Sequence, residues 1–117
     1  FAAVQTEKAI ANAYVLDDPA TTEKSIVDRM GYAVTKLGAD FVAFNVFASG
    51  VRTPLGHHLA EEVPVTQGDI IRVDYGGNFD GYYSDLVRMA VVGKPSARQD
   101  SVYRGLAEGQ REVIEKL

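Results

Sequence analysis

Two carboxylates eleven residues apart, Asp74 and Asp85, lie in the run VDYGGNFDGYYSD (73–85) among apolar, β-prone neighbours. A hairpin whose turn is centred between Phe79 and Asp80 sets them directly opposite each other on one sheet face, with Cβ atoms about 4.5–5.5 Å apart. Like charges so placed repel, and burial adds a desolvation cost. Three arrangements relieve them: a shared proton, as in an acid–base dyad, a cation such as Arg72, which strict alternation places on the same face, or a bound metal ion. A solvated charged face is the non-functional counterpart, and a β-bulge would alter the register. Asp80 reads as a turn residue. His57 and His58, in TPLGHHL just upstream, add groups able to handle protons or orient a substrate, although a lone loop histidine is more often only solvated.

The elements that must position these groups follow from pattern. Residues 2–16, rich in Ala, Glu and Lys, read as a helix. Asp18 before Pro19, or the pair Thr21–Thr22, supplies side-chain oxygens for the next helix start. Ile26, Met30, Ala33, Val34 and Leu37 recur at three- and four-residue spacing, which predicts a core-facing helix ending at Gly38. FVAFNVFAS (41–49) reads as a strand broken by Gly50. A long connection over 50–68 carries the histidines, a length usual for functional loops. Strands over 69–77 and 81–92 flank a turn around Asn78–Gly81. A final helix, capped by Ser96 or Asp100, carries Val102, Leu106, Val113 and Leu117 on roughly one face. The order α-α-β-β-β-α predicts an α+β fold, an antiparallel sheet covered on one face by helices.

Composition narrows the chemistry. The 117 residues suit one domain or part of one. The chain has no cysteine, which removes disulfides, thiolate zinc sites and thiol nucleophiles. A net charge of −4 argues against nucleic acid or an anionic membrane as partner. No apolar run reaches the ~20 residues of a membrane span, and the cytoplasm is the expected compartment. The chain opens at Phe1 inside one helical pattern and stops at Leu117 inside another, so both ends are expected to be cuts.

The run from Thr53 to Gln110 resembles the pita-bread metallopeptidases: prolidase, aminopeptidase P and methionine aminopeptidase. The matching pieces keep family order: a Gly-flanked His57, Gly68–Asp69 ahead of a strand, D-x-G at 74–76, G-Y-x-S-D-x-x-R at 81–88, VG-x-PS at 92–96 and a tyrosine-bearing helix. The upstream Ser49–Gly50 and the two leading helices also fit. GYYSDLVR and VGKPS are nearer prolidase and aminopeptidase P than methionine aminopeptidase.

The resemblance implies that residues 1–117 are the N-terminal half of a pita-bread catalytic domain. It implies Asp74 as a bidentate ligand of one metal, Asp85 as the carboxylate bridging two, and His57 as a substrate- and intermediate-binding residue, with His58 its second-choice neighbour. The implied activity is that of a dinuclear Xaa-Pro dipeptidase or Xaa-Pro aminopeptidase, acting on the N-terminal bond before proline of a dipeptide or peptide. Oxygen ligands suit Mn²⁺, with Co²⁺ or Zn²⁺ as alternatives. The family's other ligands, a His and two Glu, fall in a second half, so the piece alone is expected to be inactive, to bind metal weakly or not at all, and to pair as a homodimer through its bare half-domain face. Two departures stand out: Val87 replaces a usual Thr, and Arg72 replaces a usual apolar residue and could compete for Asp74. Other branches of the fold leave two alternatives, a non-catalytic peptide- or protein-binding module and a metal-independent creatinase-like hydrolase using His57 as acid and base.

Overall fold

The computed structural model describes residues 1–13 and 20–117. Helix α1 spans Ala2–Ala13 and α2 Glu23–Lys36. Strand β1 is Phe41–Ser49, followed by a 3₁₀ turn at Gly50–Arg52. Strands β2 (Ile70–Phe79), β3 (Tyr82–Tyr83) and β4 (Leu86–Val91) precede helix α3, Ala97–Glu115. The end of the expected first helix and the Asp18–Pro19 cap lie outside the described residues. Thr22, of the expected pair Thr21–Thr22, caps α2, accepting from the Ser25 N–H while Ser25 Oγ accepts from the Thr22 N–H. This reciprocal box satisfies two orphan donors of the first turn.

The sheet is antiparallel, with β2 at its centre, β1 on one side and the broken β3–β4 strand on the other. Alternation along β2 sorts its two faces. Ile71, Val73 and Tyr75 point into the core with Phe47 of β1, where they meet Ile26, Met30 and Val34 of α2 and Ala9 and Ile10 of α1. These apolar side chains leave water together, and their burial is the main favourable term for the fold. Arg72 and Asp74 therefore lie on the face that α1 and α2 do not cover.

The hairpin differs from expectation in a way that matters for the carboxylates. Phe79 pairs with Tyr82, so the turn is the two-residue Asp80–Gly81, with φ of 54° and 83°. Positive φ at both central residues is the Asp-Gly turn that matches strand twist. Its centre lies one residue later than predicted, which moves the register by two. Asp74 pairs with Val87, not Asp85. The expected continuous strand over 81–92 also breaks at Ser84–Asp85.

Helix α3 is capped by Ser96 as one of the two expected options. It does not join the layer formed by α1 and α2. None of its residues is buried, and Val102, Leu106, Val113 and Leu117 are all exposed. Its first turns instead border an open groove of about 570 Å³ with Ile70, Met89 and Val91 on the uncovered side of the sheet.

Candidate metal centre

The two-residue register change keeps Asp74 and Asp85 on the same side of the sheet, because a shift of two preserves facing. They are diagonal neighbours rather than a direct pair. Continuing the ladder places Asp85 across from Gly76, and the Ser84 N–H donates to Gly77 O at 3.0 Å in that same register. Gly76 explains how the diagonal closes. A Cβ there would lie 2.3 Å from the Ser84 carbonyl oxygen and 2.4 Å from the Phe44 ring. Only a residue without a side chain lets the 84–85 segment run this close to β2.

Ser84 holds that segment from the other side. Its Oγ accepts from the Gly77 N–H at 2.9 Å and shares a 2.7 Å hydrogen bond with Thr6 Oγ1 of α1. With Ser84 drawn into the core, its neighbour Asp85 is turned out toward Asp74. The consequence is electrostatic. The Asp74 carboxyl is pushed above the ordinary aspartate value, first by desolvation and then by the charge of Asp85, with a hydrogen bond between the two acids adding to it. Arg72 and His57 pull in the opposite direction.

Asp74 Oδ1 is buried with no hydrogen-bond partner among the described residues. A buried carboxylate oxygen left bare is costly and marks a place where a partner is missing. Carboxylate oxygens are hard donors and suit a divalent cation in kind. They fall short in number: among the described residues no group of three His, Cys, Asp or Glu side chains is assembled.

Arg72 was a candidate competitor for Asp74. It turns away, donating from Nη2 to the carbonyl oxygens of Leu55 (2.7 Å) and Gly56 (2.5 Å), and makes no ion pair with Asp74 among the described residues. Its charge still reaches Asp74, while its hydrogen bonds fasten the loop just before His57.

The two histidines separate. His57 is exposed, without a side-chain hydrogen-bond partner among the described residues, and near enough for its charge to act on Asp74. His58 is half-buried and engaged elsewhere: its Nε2 accepts from Arg52 Nη2 and lies 3.3 Å from Glu61 Oε1. Arginine can only donate, so His58 Nε2 is the accepting nitrogen here.

Two residues of this arrangement were not singled out from the sequence. Thr6 sits in an Ala-rich helix, where nothing marks it as the partner of Ser84. Glu23 opens α2, where an acid ordinarily reads as a favourable charge at the helix start. It is instead fully buried, its Oε1 accepting from Ser49 N–H (2.7 Å) and Ser49 Oγ (2.8 Å), its Oε2 from the Glu61 N–H (3.2 Å).

A sheet with helices on one face and an acidic pair on the other defines the class, and comparison with known proteins gives the family. Residues 2–117 match metallopeptidase family M24; the chain belongs to this family. An Xaa-Pro dipeptidase of Pyrococcus horikoshii is 32% identical over 94 residues, covering 80% of this chain and 27% of that protein. Among solved structures, the X-Pro aminopeptidase of Thermotoga maritima superposes with a TM-score of 0.87 at 32% identity, over 94% of this chain and 32% of its own. The prolidase of Thermococcus sibiricus gives 0.89 at 30% identity, over 99% and 32%. The fold is thus the pita-bread fold of prolidase and aminopeptidase P over the portion matched, and the chain spans about a quarter to a third of these relatives. Divalent metal ions belong to the chemistry of such a family.

Proposed function

We propose that residues 1–117 form the N-terminal half of the catalytic domain of a dinuclear Xaa-Pro dipeptidase or Xaa-Pro aminopeptidase, with the cytoplasm as its expected compartment. Asp74 and Asp85 are its metal ligands and His57 handles the substrate. The observation that carries this reading is the bare, buried Asp74 Oδ1 beside Asp85 on the uncovered sheet face. When bound, divalent cations would supply a water activated near neutral pH and a Lewis acid for the scissile carbonyl. Mn²⁺ is the ion we assign, since carboxylate oxygens favour hard or borderline metals.

The protein's own residues carry the rest. Ser84 and Gly76 hold Asp85 within reach of Asp74. His57, exposed and unpartnered among the described residues, is free to bond a peptide carbonyl or carboxylate in front of the acids. Two carboxylates alone bind metal weakly, so remaining ligands would come from a second half, which would also cover the apolar residues exposed on α3. In isolation, the chain is expected to use that same face to pair with a second copy, which sedimentation at high micromolar concentration would detect.

The test compares the 117-residue chain with a longer protein carrying it. The longer protein loaded with Mn²⁺ is expected to hydrolyse an Xaa-Pro dipeptide, and Asp74→Asn or Asp85→Asn to lower turnover by on the order of 10²-fold or more. The short chain is expected to show none. Turnover that survives complete metal removal would instead favour the metal-independent hydrolase. A longer protein that binds Mn²⁺ but cleaves no peptide would favour the non-catalytic module.

A further inference from the structure

Glu23 has no part in the metal centre, yet it is the one acid with no exposed surface among the described residues. A buried carboxylate is costly unless several donors meet it. Here the donors come from both ends of a single loop. Ser49, the last residue of β1, gives Glu23 its N–H and its hydroxyl, and Glu61, beyond the histidines, gives its N–H. Arg52 Nη2 stands 3.5 Å from Glu23 Oε2 and its Nη1 donates to Glu61 Oε2 at 2.9 Å. The segment between, with Arg52, His57 and His58, is closed on one buried carboxylate.

We propose that Glu23 is a positioning residue for His57: it ties both ends of the 50–60 loop to the start of α2, so that His57 stands before Asp74 and Asp85. This rests on the reading of His57 as the substrate-handling group. The backbone anchors each end of the loop and ties β1 to it once, from the Phe47 N–H to His58 O; Glu23 adds the side-chain link. The β1–β2 ladder holds the Ser49 end opposite Ile71, and the Glu23 N–H to Val63 O and Lys24 N–H to Glu61 O bonds hold the far end; the Glu23 carboxylate joins the two ends to each other. Arg72 clasps the carbonyls of Leu55 and Gly56 from the sheet, which orients the loop tip only if its ends are already held.

Glu23→Gln is nearly isosteric but turns one acceptor into an NH₂ facing backbone donors. Ser49→Ala is the milder variant, removing one hydroxyl bond and keeping the N–H. Two readouts on the folded 117-residue chain decide. Amide hydrogen exchange in Glu23→Gln is expected to speed by about tenfold or more across 50–61, with β2 much less affected, and Ser49→Ala to shift residues 50–52 in the same direction by less. With Mn²⁺ alone as a paramagnetic probe, the broadening of the His57 ring signal is expected to fall severalfold in Glu23→Gln relative to that of the Asp74 and Asp85 amides.

Equal acceleration in β2 and the loop, or an unchanged ratio of His57 to Asp85 broadening, would overturn the assignment. If Glu23→Gln does not fold, Ser49→Ala decides by the same two measurements. If Mn²⁺ broadens none of the three sites in the unmodified chain, the metal reading of the acids fails by itself, and the exchange pattern still decides the role of Glu23.

Discussion

The two faces of β2 obey different rules. On the covered face, Ile71, Val73 and Tyr75 meet the helices with no exposed surface to speak of, and the polar guests Thr6, Glu23 and Ser84 have hydrogen-bond partners. On the uncovered face, Arg72 and Asp74 of the same strand are charged, and Asp74 keeps a bare oxygen beside a second acid. One face minimises free energy locally. The other retains repulsion and an unused acceptor, which cost stability rather than add to it.

The sharpest way to break the comparison is to empty the covered face. Phe47→Ala removes a fully buried ring from a site walled by strands and helices. It is expected to cost about 3–5 kcal/mol in urea denaturation. Met89→Ala, on the other face and 41% exposed, should cost well under half of that; equal losses would mean that the uncovered face is packed too. Between these lies Gly76→Ala. Its methyl would strike the Ser84 carbonyl and the Phe44 ring, and overpacking of this kind costs about 1–3 kcal/mol. The clash should also push the 84–85 segment outward, so that Asp74 titrates nearer the ordinary aspartate value by NMR.

Asp74→Asn should act with the opposite sign. The folded-state pKa of Asp74 is raised, so its contribution to stability is present below the ordinary aspartate value and lost as pH rises through the raised one. At neutral pH the ionised acid therefore opposes folding of the metal-free chain. Removing its charge is expected to stabilise by about half a kcal/mol, with the gain vanishing as pH falls below the ordinary aspartate range. The same variant should abolish any stabilisation by Mn²⁺. A neutral-pH loss of stability would mean that Asp74 is satisfied by a partner in the folded chain.

Much of this division was legible in the residues. The stripe Ile26, Met30, Val34 and the β-branched run 41–49 announce a helix and a strand because burial imposes periods of 3.6 and 2. The facing of Asp74 and Asp85 was legible for the same reason, since alternation survives an even shift. The register was not, although Asp80–Gly81 is a strong two-residue hairpin signal: centring the loop one residue early slides every pair by two. The burial of Glu23 was invisible because a helix-start acid reads alike whether it meets water or the ends of a loop. Helix α3 illustrates the converse. Its apolar spacing suggests a buried face, but periodicity cannot say what covers it, and here α1 and α2 do not.

The smallest expected effect tests the claim that the covered face is fully reconciled. Tyr75 is its exception on β2: the side chain has no exposed surface, and its hydroxyl finds no hydrogen-bond partner among the described residues. Desolvation pushes its pKa up to about 12, so it is neutral near neutral pH. Tyr75→Phe keeps the ring that fills the core beside Gly31 and Val42 and deletes only a polar atom that burial has stripped of water. Losing an unpaired buried hydroxyl is neutral or stabilising, so the urea midpoint should hold or rise by up to about 1 kcal/mol equivalent. The neighbouring Asp74 should keep its titration, since the two side chains leave β2 on opposite faces. A loss of more than about 1 kcal/mol would reveal a partner for the hydroxyl, such as an ordered water. The covered face would then be as fully satisfied at Tyr75 as it is at Glu23, and the bare polar atoms of β2 among the described residues would be those of Arg72 and Asp74 on its other face.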